Sequence, residues 1–212
     1  MQAAAQLMVT TEPATVKAGE ATKLTLMIHD ATGNSVKDLE TVHEQKIHLI
    51  IVRDGLDQFD HIHPNIDRAG NITATFVFPT PGMYRLYADH KPTGKPPAAP
   101  IAEVTVAGTS PASPALIPNT PGRVASDGLA GDIAIANAKS GGSTRISFAL
   151  FDAAGKPVGD LQPYLGAMGH LVVLSADGKQ YVHSHPLEGK SAANAVAFDA
   201  HFPQPGLYKG WG

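Results

Sequence analysis

Three imidazoles and one thioether fall within a single short stretch, Met168 to Pro186. Met168-Gly169-His170 and His183-Ser184-His185 each set two donor side chains two residues apart, and in a strand residues at that spacing share a face. Each pair is then a two-ligand claw. An apolar run, Leu171 to Leu174, follows the first claw, and Asp177-Gly178 supplies a turn before Tyr181-Val182 leads into the second. If the two arms lie side by side, the claws converge. Imidazole suits copper, zinc, nickel and iron, whereas a thioether is a soft ligand that favours copper, Cu(I) above all. Met168, His170, His183 and His185 therefore read as a copper site, with zinc as the other candidate. The competing account is structural, because methionine fills cores and His-x-His pairs occur without metal.

The same spacing occurs earlier in the chain. An offset of 122 residues carries Asp38-Leu39 onto Asp160-Leu161, His48 onto His170, His61 onto His183 and His63-Pro64 onto His185-Pro186. An offset of 124 then carries Phe78-Pro79 onto Phe202-Pro203 and Pro81-Gly82-Met83-Tyr84 onto Pro205-Gly206-Leu207-Tyr208. So many punctuating residues in register argue for one β-domain used twice. The first copy keeps His48, His61 and His63 as candidate ligands but has Lys46 where the second has Met168. A cation beside a cation site is unfavourable, so this copy is expected to bind more weakly or to prefer another metal. His43 and His90 could complete an all-imidazole set there, suited to Cu(II) or Zn(II). Asp57 and Asp60 flank His61, where a carboxylate could orient an imidazole or bind the ion; exposed acidic loop positions are the plainer account. Each Pro-Gly-x-Tyr is similar to the corner tyrosine of immunoglobulin-like sandwiches, which gives Tyr84 and Tyr208 a structural role and no chemistry.

The elements that must position these residues are short strands. Leu7–Thr11, Lys23–Asp30, Lys46–Arg53, Ile72–Phe78, Gly82–Ala88 and Ala102–Val106 carry β-branched or alternating patterns in the first half. Gly131–Ile135, Ser143–Phe151, the hairpin described above, Ala195–Phe198 and Gly206–Trp211 do so in the second, and no amphipathic helix stands out. Between the halves, residues 108–121 are rich in proline and small polar residues and read as an extended linker. The expected fold is all-β: two tandem immunoglobulin-like or cupredoxin-like β-sandwich domains, 1–107 and 122–212, joined by that linker. The second copy stops at Gly212 where the first continues to Val106, so the expectation is that either the sequence is cut short there or another segment covers the open sheet edge.

Composition narrows the function. Charged residues make up 17% of 212, the net charge is -3 with histidine neutral, and no block of like charges asks for nucleic acid. With no cysteine, disulfides, thiolate metal sites and a cysteine nucleophile are excluded, and any metal must rest on His, Met and carboxylates. No apolar run approaches the roughly 20 residues that cross a bilayer. Met1-Gln2-Ala3-Ala4-Ala5-Gln6 reads as a small-residue cleavage region behind an initiator methionine, which implies a periplasmic or secreted protein whose signal peptide is gone. No Ser-His-Asp order, nucleophile elbow, phosphate loop or usefully spaced carboxylate pair is present.

At His61-Ile62-His63-Pro64, Met168-Gly169-His170, His183-Ser184-His185-Pro186 and the two Pro-Gly-x-Tyr corners, the sequence resembles YtkA-like or cupredoxin-like β-sandwich domains of bacterial envelope proteins. That resemblance spans most of both halves and implies copper handling or resistance, with the quoted Met and His positions as ligands and a copper-handling envelope protein as partner. It departs from true cupredoxins in lacking the Cys thiolate of a blue-copper site. Three readings follow, in this order: a copper buffer or chaperone; a non-catalytic tandem immunoglobulin-like module for protein or glycan contact; and a copper or zinc oxidoreductase, which needs an open coordination position.

Overall fold

Alternation of apolar and polar residues decides which strands face a core, and the computed structural model realises it in two units, 1–115 and 116–212. It describes residues 5–119, 123–126, 128–182, 184–187 and 194–212, and only the backbone of Ser126 and His185. The described residues are all β, with no helix.

In the first unit the strands are β1 (Gln6–Glu12), β2 (Val16–Lys17), β3 (Ala21–His29), β4 (Ile47–Arg53), β5 (Phe59–Ile62), β6 (Asn65–Ile66), β7 (Ile72–Val77), β8 (Gly82–His90) and β9 (Ile101–Ala107). They form a four-stranded sheet ordered β1-β3-β7-β6 and a five-stranded sheet ordered β2-β9-β8-β4-β5. Strand β3 buries Thr22, Leu24, Leu26 and Ile28 and turns the residues between them outward. These meet Leu49, Ile51, Leu86, Val104 and Val106 of the facing sheet in one core. The interior strand β4 is buried on both faces, as its apolar run Leu49 to Val52 requires.

The second unit contains β10 (Arg123–Ser126), β11 (Leu129–Ala136), β12 (Ser143–Asp152), β13 (Val172–Ser175), β14 (Tyr181–Val182), β15 (Ser184–Pro186), β16 (Ala195–His201) and β17 (Tyr208–Trp211). Its sheets run β10-β11-β12-β16-β15 and β14-β13-β17. Strand β13 pairs with β14 and β17 as β4 pairs with β5 and β8, so the tandem repeat read from the sequence is also a repeat of topology. A smaller core joins Ile146, Val173, Val182, Val196 and Phe198. In the first copy Leu7 and Val9 of β1 face the core, where β9 supplies Val104 and Val106. By register the counterpart of Val9 on β11 is Ile133, which stands opposite Phe148 as Val9 stands opposite Leu26; it is 41% exposed, and no described strand occupies the β9 place.

The boundary falls within the expected linker, but the linker's first part belongs to the first sandwich. Arg53, only 2% exposed, donates to Ser110 Oγ at 2.8 Å, to Ser113 Oγ at 3.1 Å and to the Pro111 carbonyl.

Candidate metal centre

The hairpin β4–β5 builds the site. Its register sets Ile50 opposite His61 and Leu49 opposite Ile62, so His61 shares the outward face of Ile50. His48 lies two residues before Ile50 and His63 two after His61, and the period of two brings all three imidazoles to one end of that face. His48 Nδ1 stands 3.0 Å from His61 Nε2 and 3.2 Å from His63 Nε2. One nitrogen from each of the three rings lies within 4.8 Å of the others. Four nitrogens around a tetrahedral ion at 2.0–2.1 Å are separated by about 3.3 Å, so the distances from His48 Nδ1 to the other two rings are close to those between ligands of one ion. His48 is buried, and His61 and His63 are half-buried at the rim.

A carbonyl can only accept a hydrogen bond, so His48 Nε2, 3.0 Å from the Val42 carbonyl, carries the proton. In the neutral ring the lone pair is then on Nδ1, the nitrogen that faces His61 and His63.

His43 is the next imidazole out, its ring centroid 6.3 Å from that of His48. His90 does not join the cluster. It pairs with Ile47 of the core, and is therefore on the opposite face of the sheet, with Nδ1 2.7 Å from the Ala88 carbonyl. Asp57 is committed to Arg53 at 2.6 Å. Asp60, opposite Ile51, faces away from the imidazoles, and burial pushes its carboxyl up from the usual range. The carboxylate that does share the face is Asp89, directly across from His48 on β8, which the sequence reading passed over. Nothing local marks Asp89; only the β4–β8 register brings it there.

In the second copy the lead histidine repeats the arrangement. His170 Nε2 is 2.9 Å from the Tyr164 carbonyl, the residue equivalent to Val42. Met168 sits at a bend before β13 and is 46% exposed, so the strand spacing expected to align it with His170 does not operate there. His183 lies outside the described residues, as does the side chain of His185.

The sequence matches the family described as "Domain of unknown function (DUF8832)" over residues 2–108 and 124–212. The chain belongs to this family. No curated protein matches it. Among solved structures it is similar to FdeC, described as a broadly conserved Escherichia coli adhesin, at 20% identity and a TM-score of 0.34, over 95% of this chain and 56% of that one. It is also similar to domains 4-9 of the surface layer protein SbsC, at 13% identity and a TM-score of 0.23, over 92% of this chain and 26% of that one. The DUF8832 chain thus spans about half of the solved FdeC chain and about a quarter of the solved SbsC chain.

Proposed function

We propose that the first sandwich is a non-catalytic metal-binding module that holds a transition-metal ion on His48 Nδ1, His61 Nε2 and His63 Nε2. The convergence of those three nitrogens carries the reading. An all-imidazole set suits Cu(II) and Zn(II), and copper is the first choice because the repeat equivalent in the second copy, Met168 with His170, His183 and His185, adds a soft ligand. A pair of sites of different softness fits a buffer or carrier of copper in the cell envelope. Neither the family description nor the names of the similar structures mention copper, so the metal reading rests on the imidazole cluster and the choice of copper on the thioether that the sequence supplies at Met168.

Metal analysis of tag-free protein, followed by competition titration with Cu(II) and Zn(II), tests it. His48→Ala and the double variant His61→Ala/His63→Ala are expected to lower the affinity of the first site at least tenfold. Unchanged affinity in both would overturn it.

A second reading is a tandem immunoglobulin-like interaction module for a protein or glycan. The observation favouring it is that His48 Nδ1 lies within hydrogen-bond distance of both His61 Nε2 and His63 Nε2, an arrangement that also suits a purely structural imidazole cluster. Melting separates the two, because an ion that binds only the native state raises its stability, by about 2.7 kcal/mol at a hundredfold excess over Kd. No shift with either metal would leave the interaction module.

A further inference from the structure

The turn ahead of each lead histidine has the same unusual build. Val42 and Gln45 exchange both backbone hydrogen bonds, at 2.8 and 3.1 Å, around His43 and Glu44, whose φ angles are 48° and 62°. In the second copy Tyr164 and Ala167 do the same, at 2.8 and 3.2 Å, around Leu165 and Gly166 with φ of 50° and 70°. Two central residues with positive φ make a type I′ turn, which normally takes Asn-Gly or a similar pair. Here three of the four central residues carry a Cβ that disfavours that conformation, and such strain persists only where the surroundings over-determine it.

The turn has one product common to both copies. Its first carbonyl, already accepting from the backbone of Gln45 or Ala167, also accepts from the lead histidine: Val42 from His48 Nε2 at 3.0 Å and Tyr164 from His170 Nε2 at 2.9 Å. A carbonyl oxygen has two lone pairs, so both bonds are made. Leu39, Asp38 and the claws aside, little else in this region is matched between the copies: Val42 is replaced by Tyr164, His43 by Leu165 and Lys46 by Met168. The backbone geometry survives where the side chains do not.

We infer that the two type I′ turns, Val42–Gln45 and Tyr164–Ala167, are tautomer clamps: their carbonyls hold His48 and His170 with the proton on Nε2 and so make Nδ1 the metal donor in both repeats. This rests on the metal-binding reading and adds to it a positioning role for Glu44 and Gly166, neither of which needs to touch the ion. Groups that orient a ligating imidazole through its other nitrogen typically contribute ten- to hundredfold in metal affinity.

The full chain is compared with three variants. Glycine takes positive φ freely, so Glu44→Gly keeps the carbonyl in place; valine resists it, so Glu44→Val and Gly166→Val displace the carbonyl in the first and second copy. Nitrogen-15 NMR of the imidazoles, without metal and with Zn(II) alone, is expected to show the Nε2-protonated tautomer at His48 and His170, with Nδ1 the resonance moved by zinc. Zn(II) competition should give Glu44→Gly a wild-type first site and Glu44→Val a loss of tenfold or more, together with loss of the tautomer signature. Gly166→Val should do the same to the His170 signature. An Nδ1-protonated ring in the wild type, or Glu44→Val with wild-type tautomer and affinity, would overturn the clamp. Should Glu44→Val fail to fold, the wild-type tautomers and Glu44→Gly still decide. Absence of any zinc response in the wild type sinks the metal reading instead, a result distinct from a wrong tautomer.

Discussion

At the scale of single residues, Arg53 and Tyr84 show how much of this fold is held by polar side chains at strand ends. The Tyr84 hydroxyl lies between Gln58 Oε1 at 2.6 Å and the Thr80 carbonyl at 3.0 Å, and the Tyr208 hydroxyl meets Gln180 Oε1 and the Gln204 carbonyl, both at 2.8 Å. The corner reading from Pro-Gly-x-Tyr therefore holds in both copies, down to the glutamine partner. Arg53 was not legible in the same way. An arginine closing an apolar run reads as the point where a strand meets water, yet this one is buried against Asp57 at 2.6 Å and against residues 57 to 60 positions later in the chain. Its counterpart in the second copy is Ser175, so the device belongs to the first sandwich alone. Arg53→Met leaves the Asp57 carboxylate without its partner, and breaking such a buried pair costs about 3 kcal/mol. Urea unfolding is expected to show a loss of that order, and Arg53→Met/Asp57→Leu should recover a substantial part of it. A double variant no more stable than the single one would mean that the linker contacts, not the ion pair, carry the stability.

At the scale of elements, hydrophobic period made most strands legible. The expected Lys23–Asp30, Lys46–Arg53, Ile72–Phe78 and Gly82–Ala88 correspond to β3, β4, β7 and β8 within two residues at each end. Strand β5 was missed because Phe59-Asp60-His61-Ile62 looks like a polar loop; it is an edge strand whose outward face carries an imidazole. The ligand spacing His61-Ile62-His63 was legible from period alone, whereas the approach of His48 depended on a register fixed by the whole hairpin. The inward face of β5 carries a cost. Asp60 stands opposite Ile51, and burial raises its carboxyl pKa. A raised folded pKa means that the native state binds the proton more readily than the unfolded chain, so stability falls as pH rises through the ordinary carboxylate range, about pH 4, and stays low above the folded value. Asp60→Asn should therefore raise the melting temperature at pH 7 and lose that advantage below about pH 4. An equal gain at both pH values would show that the carboxylate's charge is not the cause.

At the scale of the molecule, the end of the first unit is set by what Arg53 needs. A Cβ built on Gly55 would overlap Ser113 Oγ, and one on Gly82 would meet Ser110 Oγ at 2.7 Å and Arg53 Nε at 3.2 Å. Both glycines have positive φ, 94° and 131°, so the linker lies in a channel that only glycine leaves open. In the second copy the matching glycine, Gly206, meets Tyr208 at 3.8 Å, and among the described residues no other segment is seated there. Proline and serine richness in residues 108–121 gave the linker its expected place but concealed that Ser110, Pro111 and Ser113 are partners of a buried cation. The first sandwich has its own core and its own imidazole cluster, so a fragment of residues 1–115 should unfold in one cooperative transition and bind Zn(II) with the affinity of that site in the full chain. Ending the fragment at 107 removes three hydrogen-bond partners of the guanidinium, Ser110, Pro111 and Ser113, and leaves it Asp57 and the Pro81 carbonyl, at a cost of about 1–3 kcal/mol. Its urea midpoint should fall accordingly, while its zinc affinity at low denaturant stays unchanged, since no imidazole of the cluster touches that end of the strand. Equal midpoints for the two fragments would place the domain boundary at Ala107 and reduce the serines to surface contacts.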